Sequence, residues 1–129
     1  MIDHAELTQV VREAAADALA IDVGQVADDA NLQDLGAQSL EFLDIVFKLE
    51  QRYDIEITRG EMERAARGDL SEEAFAPNGE ISEVGLERLR ELMPESAHRA
   101  VPGLRVSQIL SLFTVATFVR IVETKLGEG

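Results

Sequence analysis

Asp34-Leu35-Gly36-Ala37-Gln38-Ser39-Leu40-Glu41-Phe42-Leu43-Asp44-Ile45-Val46-Phe47 decides how the 129-residue chain is read. A turn of small residues delivers a serine to the first position of a strongly apolar helix. Gly36 permits the tight turn. Ser39 then stands where a helix leaves its first N–H groups unpaired and presents the positive end of its dipole. That end favours an anion, so a phosphate ester on Ser39 Oγ falls where peptide N–H groups best receive it. Serine is also a preferred helix cap, because its hydroxyl accepts from the N2 or N3 amide. Position alone leaves both readings open.

Outward from Ser39, a helix to about Tyr53 carries Leu40, Phe42, Leu43, Ile45, Val46, Phe47 and Leu49, more than a single stripe. It is expected to be buried on two sides or to meet a partner. Between the apolar positions lie Glu41, Asp44, Glu50 and Asp54. At helical spacing Glu41 and Asp44 stay near Ser39 on the outer face. They either offer a basic partner its grip or simply favour the positive helix end.

Before the turn, Asp3 with Glu6 makes an aspartate version of a capping box. Leu7, Val10, Val11, Ala14, Ala15, Ala18 and Leu19 then follow helical spacing with one buried stripe. From Ile21 to Asp34 the chain reads as a long loop with Val26 and Leu32 turned inward. Asp28, Asp29 and Asp34 lack the spacing of a calcium loop, so no metal site is assigned.

Residues 58–106 begin with Arg59 to Gly68, a short polar helix stopped by glycine, and Ser71 can cap a further turn through Phe75. Pro77-Asn78-Gly79 marks a reversal across which Phe75-Ala76 and Glu80-Ile81 are expected to pair briefly. Ser82 caps a helix with Val84, Leu86, Leu89, Leu92 and Met93 that ends at Pro94, and Pro102-Gly103 closes the segment. Thr114 caps a last helix whose Val115, Phe118, Val119, Val122 and Leu126 form one stripe, followed by a frayed tail at Gly127-Glu128-Gly129.

Composition narrows the classes of function. There is no cysteine, so disulfides and a catalytic thiol of the chain's own are excluded, and any thioester needs an imported sulfur. Met1-Ile2-Asp3-His4 is acidic and quickly helical, which is not the pattern of a signal peptide. The longest uncharged run, Val106 to Val119, falls short of the roughly 20 apolar residues of a membrane span. A cytoplasmic protein is expected. The net charge is −13, and residues 1–57 hold thirteen Asp or Glu against Arg12, Lys48 and Arg52. Such a field repels phosphate backbones, which disfavours nucleic acid, and steers basic protein surfaces.

Catalysis by the chain itself is not expected. A serine nucleophile needs a base within reach, and the histidines are His4 in the first helix and His98 in the 58–106 segment, both expected to face solvent. The residues around Ser39 lack the G-x-S-x-G elbow, and the chain has no phosphate-binding glycine loop, HExxH or dinucleotide fingerprint.

Asp34-Leu35-Gly36-Ala37-Gln38-Ser39-Leu40-Glu41, the acidic apolar helix after it and Tyr53-Asp54-Ile55-Glu56-Ile57 together resemble the acyl carrier protein family. Ser39 to Phe47 is closest in flavour to the specialised carriers of very-long-chain acyl groups for bacterial lipid A. The resemblance covers about residues 3–57 and 112–126. It implies that Ser39 receives 4′-phosphopantetheine from coenzyme A through a phosphopantetheinyl transferase, and that acyl groups ride on the terminal thiol. It also implies that Leu43, Val46 and Phe47 line an acyl pocket. Glu41, Asp44 and Glu50 would then meet acyl synthases, ligases or acyltransferases that have basic docking surfaces. Gln38 stands where the family has aspartate, which removes a charge that partner enzymes contact.

The expected fold is therefore all-α: an acyl-carrier-like helical bundle with an inserted, mostly helical segment after the second helix. The whole of 1–129 forms one domain, with a carrier core of 3–57 and 112–126 and an insertion of 58–106. The expected function is that of a discrete type II acyl carrier, monomeric and without metal, in fatty acid or lipid A-like biosynthesis. Alternatives are a polyketide or aminoacyl carrier using the same serine, or an unmodified helical adaptor.

Overall fold

The computed structural model describes residues 3–128, and its first and last long helices start where the sequence supplies a cap. Helix α1 (His4–Leu19) opens with Asp3 Oδ1 accepting the Ala5 N–H at 3.2 Å and closes at Ala20, which takes a left-handed φ of 56°. Leu7, Val11, Ala14 and Ala15 form its buried stripe. The following loop is pinned to α1 by Arg12, whose Nε donates to the Val26 carbonyl at 2.5 Å and whose Nη2 donates to the Val23 carbonyl at 3.0 Å. Val26 and Leu32 turn inward as expected and are fully buried.

Helix α2 (Ser39–Tyr53) ends at Asp54, again left-handed. The last helix, α6 (Val115–Glu128), opens on a reciprocal threonine pair. Thr117 N–H donates to Thr114 Oγ1 at 3.2 Å, and Thr114 N–H donates to Thr117 Oγ1 at 3.0 Å, so Thr114 caps as the sequence predicts. Helix α1 packs against both α2 and α6. The centre of the core is aromatic: Phe42, Phe113 and Phe118 lie with ring centroids 5.7 to 6.5 Å apart, two of the three pairs edge to face. Such pairs add about 0.5–1.5 kcal/mol each beyond the area they bury.

Between α2 and α6 run α3 (Arg59–Arg67), α4 (Glu72–Phe75) and α5 (Glu83–Leu92), then 3-10 turns at Pro94–Arg99 and Val106–Leu112. Thr58, Ser71 and Ser82 cap the three helices by accepting from Glu61, Ala74 and Gly85 N–H at 3.1 to 3.2 Å. Gly68, at φ 61°, stops α3 as expected. Helix α5 packs on α3 and on the 94–99 turn, burying Leu86 and Leu89. The segment is stapled to α6 at two places. The Glu95 carboxylate takes Arg120 Nη2 at 2.8 and 3.1 Å, and Lys125 Nζ reaches Glu61 at 3.2 Å.

Two expectations are corrected. Pro77-Asn78-Gly79 does reverse the chain, with Gly79 at φ 82° and its N–H donating to the Ala76 carbonyl. Glu80 nevertheless bridges to Arg105 and not to Phe75-Ala76. Phe75 ends α4 and its carbonyl accepts the Ser82 N–H at 2.8 Å, which leaves no extended edge there to pair. Gly127 and Glu128 continue α6 where a frayed tail was expected, and Gly129 lies outside the described residues. Among the described residues the regular elements are all helical, with isolated bridges at Asn31–Thr114 and Glu80–Arg105, and no helix is long and apolar enough to cross a membrane.

Candidate functional site

Ser39 is the first residue of α2 and is exposed, one step beyond Gln38, whose extended backbone ends the turn. The turn is set by hydrogen bonds: Gly36 N–H donates to the Gln33 carbonyl and Ala37 N–H to the Leu32 carbonyl, both at 3.0 Å. Gly36 sits at φ 106°, where a side chain is strained although a Cβ would meet open space, so the glycine is needed for its backbone alone. Buried Ala37 and Leu32 hold the inner side of the turn, and Leu32 N–H donates to the Phe113 carbonyl at 3.1 Å. The serine is thus an exposed residue on a rim tied to the start of α6, at the helix end whose first N–H groups have no intrahelical partner. An anionic ester there meets the positive end of a 15-residue helix.

The carboxylates around it have local tasks as well. Glu41 Oε1 accepts the Gln38 N–H at 2.8 Å, which fixes the residue just before Ser39. Asp44 lies 3.6 Å from Lys48, whose ammonium is closer to Asp17, at 2.6 Å. The hydrogen bond to Asp17 raises the Lys48 pKa above its ordinary value. Glu50 turns inward, its Oε2 accepting the Ile57 N–H at 2.8 Å, and so shapes the loop between α2 and α3.

The apolar candidates separate. Val46 is buried, whereas Leu43 is 66% and Phe47 56% exposed, with Leu40 at 73%. Helix α2 is therefore not covered on two sides: Phe42, Ile45, Val46 and Leu49 face the core, and Leu40, Leu43 and Phe47 form a second, open stripe. Two hollows flank this helix. A groove of about 760 Å³ is lined by Ser39, Phe42, Leu43 and Val46 on one side, by Met62 and Ala66 of α3 on another, and by Phe75, Ile109, Leu110 and Phe113 opposite. A shallower hollow of about 680 Å³ on the outer face gathers Leu40, Leu43, Val46 and Phe47 with Ala18 and Ile57. Leu43 and Val46 share the groove with Ser39, and Phe47 does not. The reason is helical rotation: at 3.6 residues per turn, Val46 lies about 20° from Ser39 around the axis and Phe47 about 80° the other way.

Met62, Ile109, Leu110 and Phe113 are among the groove residues that sequence reasoning missed. Phe113 alone left a signal, as a large apolar residue directly before the Thr114 cap. Neither histidine lines either hollow. His4 is exposed at the start of α1 and pairs with Glu123 at 2.8 Å, and His98 is exposed in the 94–99 turn.

With this geometry in hand, comparison with known proteins is informative. Residues 9–66 match the family model described as a phosphopantetheine attachment site, so the match spans α2 and nearly all of α3 and contains Ser39. An acyl carrier protein of Prochlorococcus marinus (strain MIT 9515) is 42% identical over 53 residues, 40% of this chain and 66% of that protein. The chain thus spans about two thirds of the length of that curated relative. No solved structure gives a significant match. Over residues 9–66 the chain is therefore similar to the phosphopantetheine attachment family, with a second resemblance to an acyl carrier protein.

Proposed function

We propose that the chain is a discrete acyl carrier protein in which Ser39 bears 4′-phosphopantetheine and the terminal thiol of that arm holds acyl groups as thioesters. The observation that supports it is the exposed position of Ser39 at the positive end of α2, on the lip of an apolar groove and inside the matched segment. A phosphopantetheinyl transferase supplies the arm from coenzyme A. The Ser39 oxygen-to-phosphorus bond forms as the pyrophosphate link of coenzyme A breaks, adenosine 3′,5′-bisphosphate leaves, and the serine proton is released. Function then comes from tethering, which replaces encounters between free intermediates with delivery by one docked protein. The chain is carried between enzymes and is not itself a catalyst.

Partners are acyl synthases, ligases or acyltransferases with basic surfaces. Glu41 and Asp44, half-exposed beside the open stripe Leu40, Leu43 and Phe47, are the charges offered to them, while Glu50 serves the loop at Ile57. A cytoplasmic monomer in fatty acid or lipid A-like biosynthesis is the context that the resemblance of Ser39 to Phe47 favours. The family match runs through residue 66, which supports counting α3 with the carrier core and the chain after Gly68 as the extra segment.

Incubation with coenzyme A, magnesium and a broad-specificity transferase, followed by intact-mass measurement, tests the reading. Wild type gains one phosphopantetheine and Ser39→Ala gains none. Absence of an adduct with the native transferase as well would leave the unmodified adaptor, which the replacement of aspartate by Gln38 favours.

A further inference from the structure

The two hollows beside α2 differ in what they can receive. The outer one is an open face, while the groove holds Ser39 on its lip and is closed opposite by residues outside the family match. Its size falls within the 300–1,000 Å³ of small-molecule sites. Four charged side chains reach its rim, Arg59, Glu63, Arg67 and Glu72, and they neutralise one another. Arg59 meets Glu63 at 3.4 Å, and Arg67 meets Glu63 at 3.5 Å and Glu72 at 3.8 Å. Two cations stand against two anions, which leaves no surplus charge in the lining for a charged cargo. Apart from Ser39, Ser107 and Gly79 the remaining lining is apolar, and Met62, Ala76, Ile109 and Leu110 are only half-buried, so their surfaces are still partly open to water.

We infer that the segment after α3 supplies the far wall of a cargo groove that takes uncharged, apolar acyl chains and excludes aminoacyl and carboxylate-ended ones. This rests on the reading of Ser39 as the attachment point. The occupant is fixed by the tether: a chain carried on an arm from Ser39 is held at the mouth of the groove at high effective concentration. Phe75 and Ala76 of the extra segment, with Ile109 and Leu110 of the Val106–Leu112 turn that follows it, then cover the side of the acyl chain that faces away from α2 and α3. A cargo amine or carboxylate would enter a lining whose own ions are already paired, and it would lose its hydration without gaining a counter-ion. A methylene gains instead, by about fourfold in occupancy for each one buried.

Acetyl, octanoyl, 7-carboxyheptanoyl and β-alanyl arms, loaded on the full chain from their coenzyme A thioesters, separate the possibilities. Intact mass first records loading at Ser39. The octanoyl form is expected to show nuclear Overhauser contacts from chain protons to the Ile109 and Leu110 methyls, and slower thioester release by hydroxylamine than the acetyl form. The carboxylate-ended and β-alanyl arms are expected to show neither. Ala76→Trp, which fills the groove, is expected to abolish the octanoyl contacts with loading retained, and the wild-type contacts stand as evidence if that variant fails to fold. Contacts to Leu40 and Phe47 in place of Ile109 and Leu110 would overturn the inference, as would equal protection of the charged arms. Either result would leave the carrier reading intact. Failure of every arm to load at Ser39 would overturn the carrier reading itself.

Discussion

The guanidinium of Arg99, in the turn after α5, donates to the carboxylate of Asp34, the first residue of the turn that presents Ser39. Sixty-five positions apart in sequence, the two tie the extra segment directly to the rim of the site. Both side chains are partly exposed, so the pair contributes about 0.2–1 kcal/mol at low salt and less at high salt. Arg99→Ala is expected to lower the urea midpoint slightly and to speed amide exchange at Gly36 and Ala37. Asp34→Ala should add little to it in the double variant. Full additivity of the two would show that the contact carries no coupling.

Gly85 lies inside α5, where alanine is ordinarily better than glycine by roughly 1 kcal/mol. Here a Cβ would come to 2.6 Å from the Phe75 carbonyl and 2.9 Å from Ile81 Cγ2. Overpacking against backbone should win, so Gly85→Ala is expected to destabilise by about 1–3 kcal/mol in urea unfolding. Gly60 in α3 supplies the contrast, its nearest neighbour being Thr58 Oγ1 at 3.8 Å. Gly60→Ala is expected to be stabilising by about 0.4–1 kcal/mol. Equal effects at the two positions would refute the packing account.

His4 joins the first helix to the last through Glu123, and the hydrogen bond and charge of that carboxylate raise the His4 pKa above its ordinary value. The folded chain therefore holds the proton more tightly than the unfolded one does. The stabilisation is fully present below the ordinary histidine pKa and disappears as pH rises through the raised value. Proton NMR titration should place the His4 midpoint above the ordinary histidine value. His4→Gln should flatten the fall in stability between those limits, and an unchanged pH profile would remove the pair from the account.

Much of the helical framework was legible because its signals are local. Leu7, Val11, Ala14 and Ala15 give a clean helical period, Gly36 and Gly68 punctuate, and Ser71, Ser82 and Thr114 cap as read. The groove was legible only on its α2 side. Ile109 and Leu110 lie in a 3-10 turn too short to show a period, and what brings them opposite Val46 is tertiary. That turn is anchored by the buried Ser96 hydroxyl donating to the Leu112 carbonyl at 2.6 Å, and by Val106 N–H donating to the Gly79 carbonyl at 2.9 Å. Partners so far apart in sequence leave no trace in spacing. Phe47 lines the outer hollow with Leu43 and Val46, and its flank was not legible for a different reason: apolar character says that a side chain seeks cover, and not which side of the helix supplies it.

Lys125 meeting Glu61 puts α6 beside α3, so the long excursion between them leaves and returns at neighbouring points. Closing such a detour grows only logarithmically more unfavourable with its length, about 0.6 kcal/mol per doubling. The detour also adds Ile81, Leu86, Leu89 and Met93 to the same buried core that the long helices share. A compact helical scaffold can thus accept an ornament of this size at one seam without rearranging the helices on either side of it.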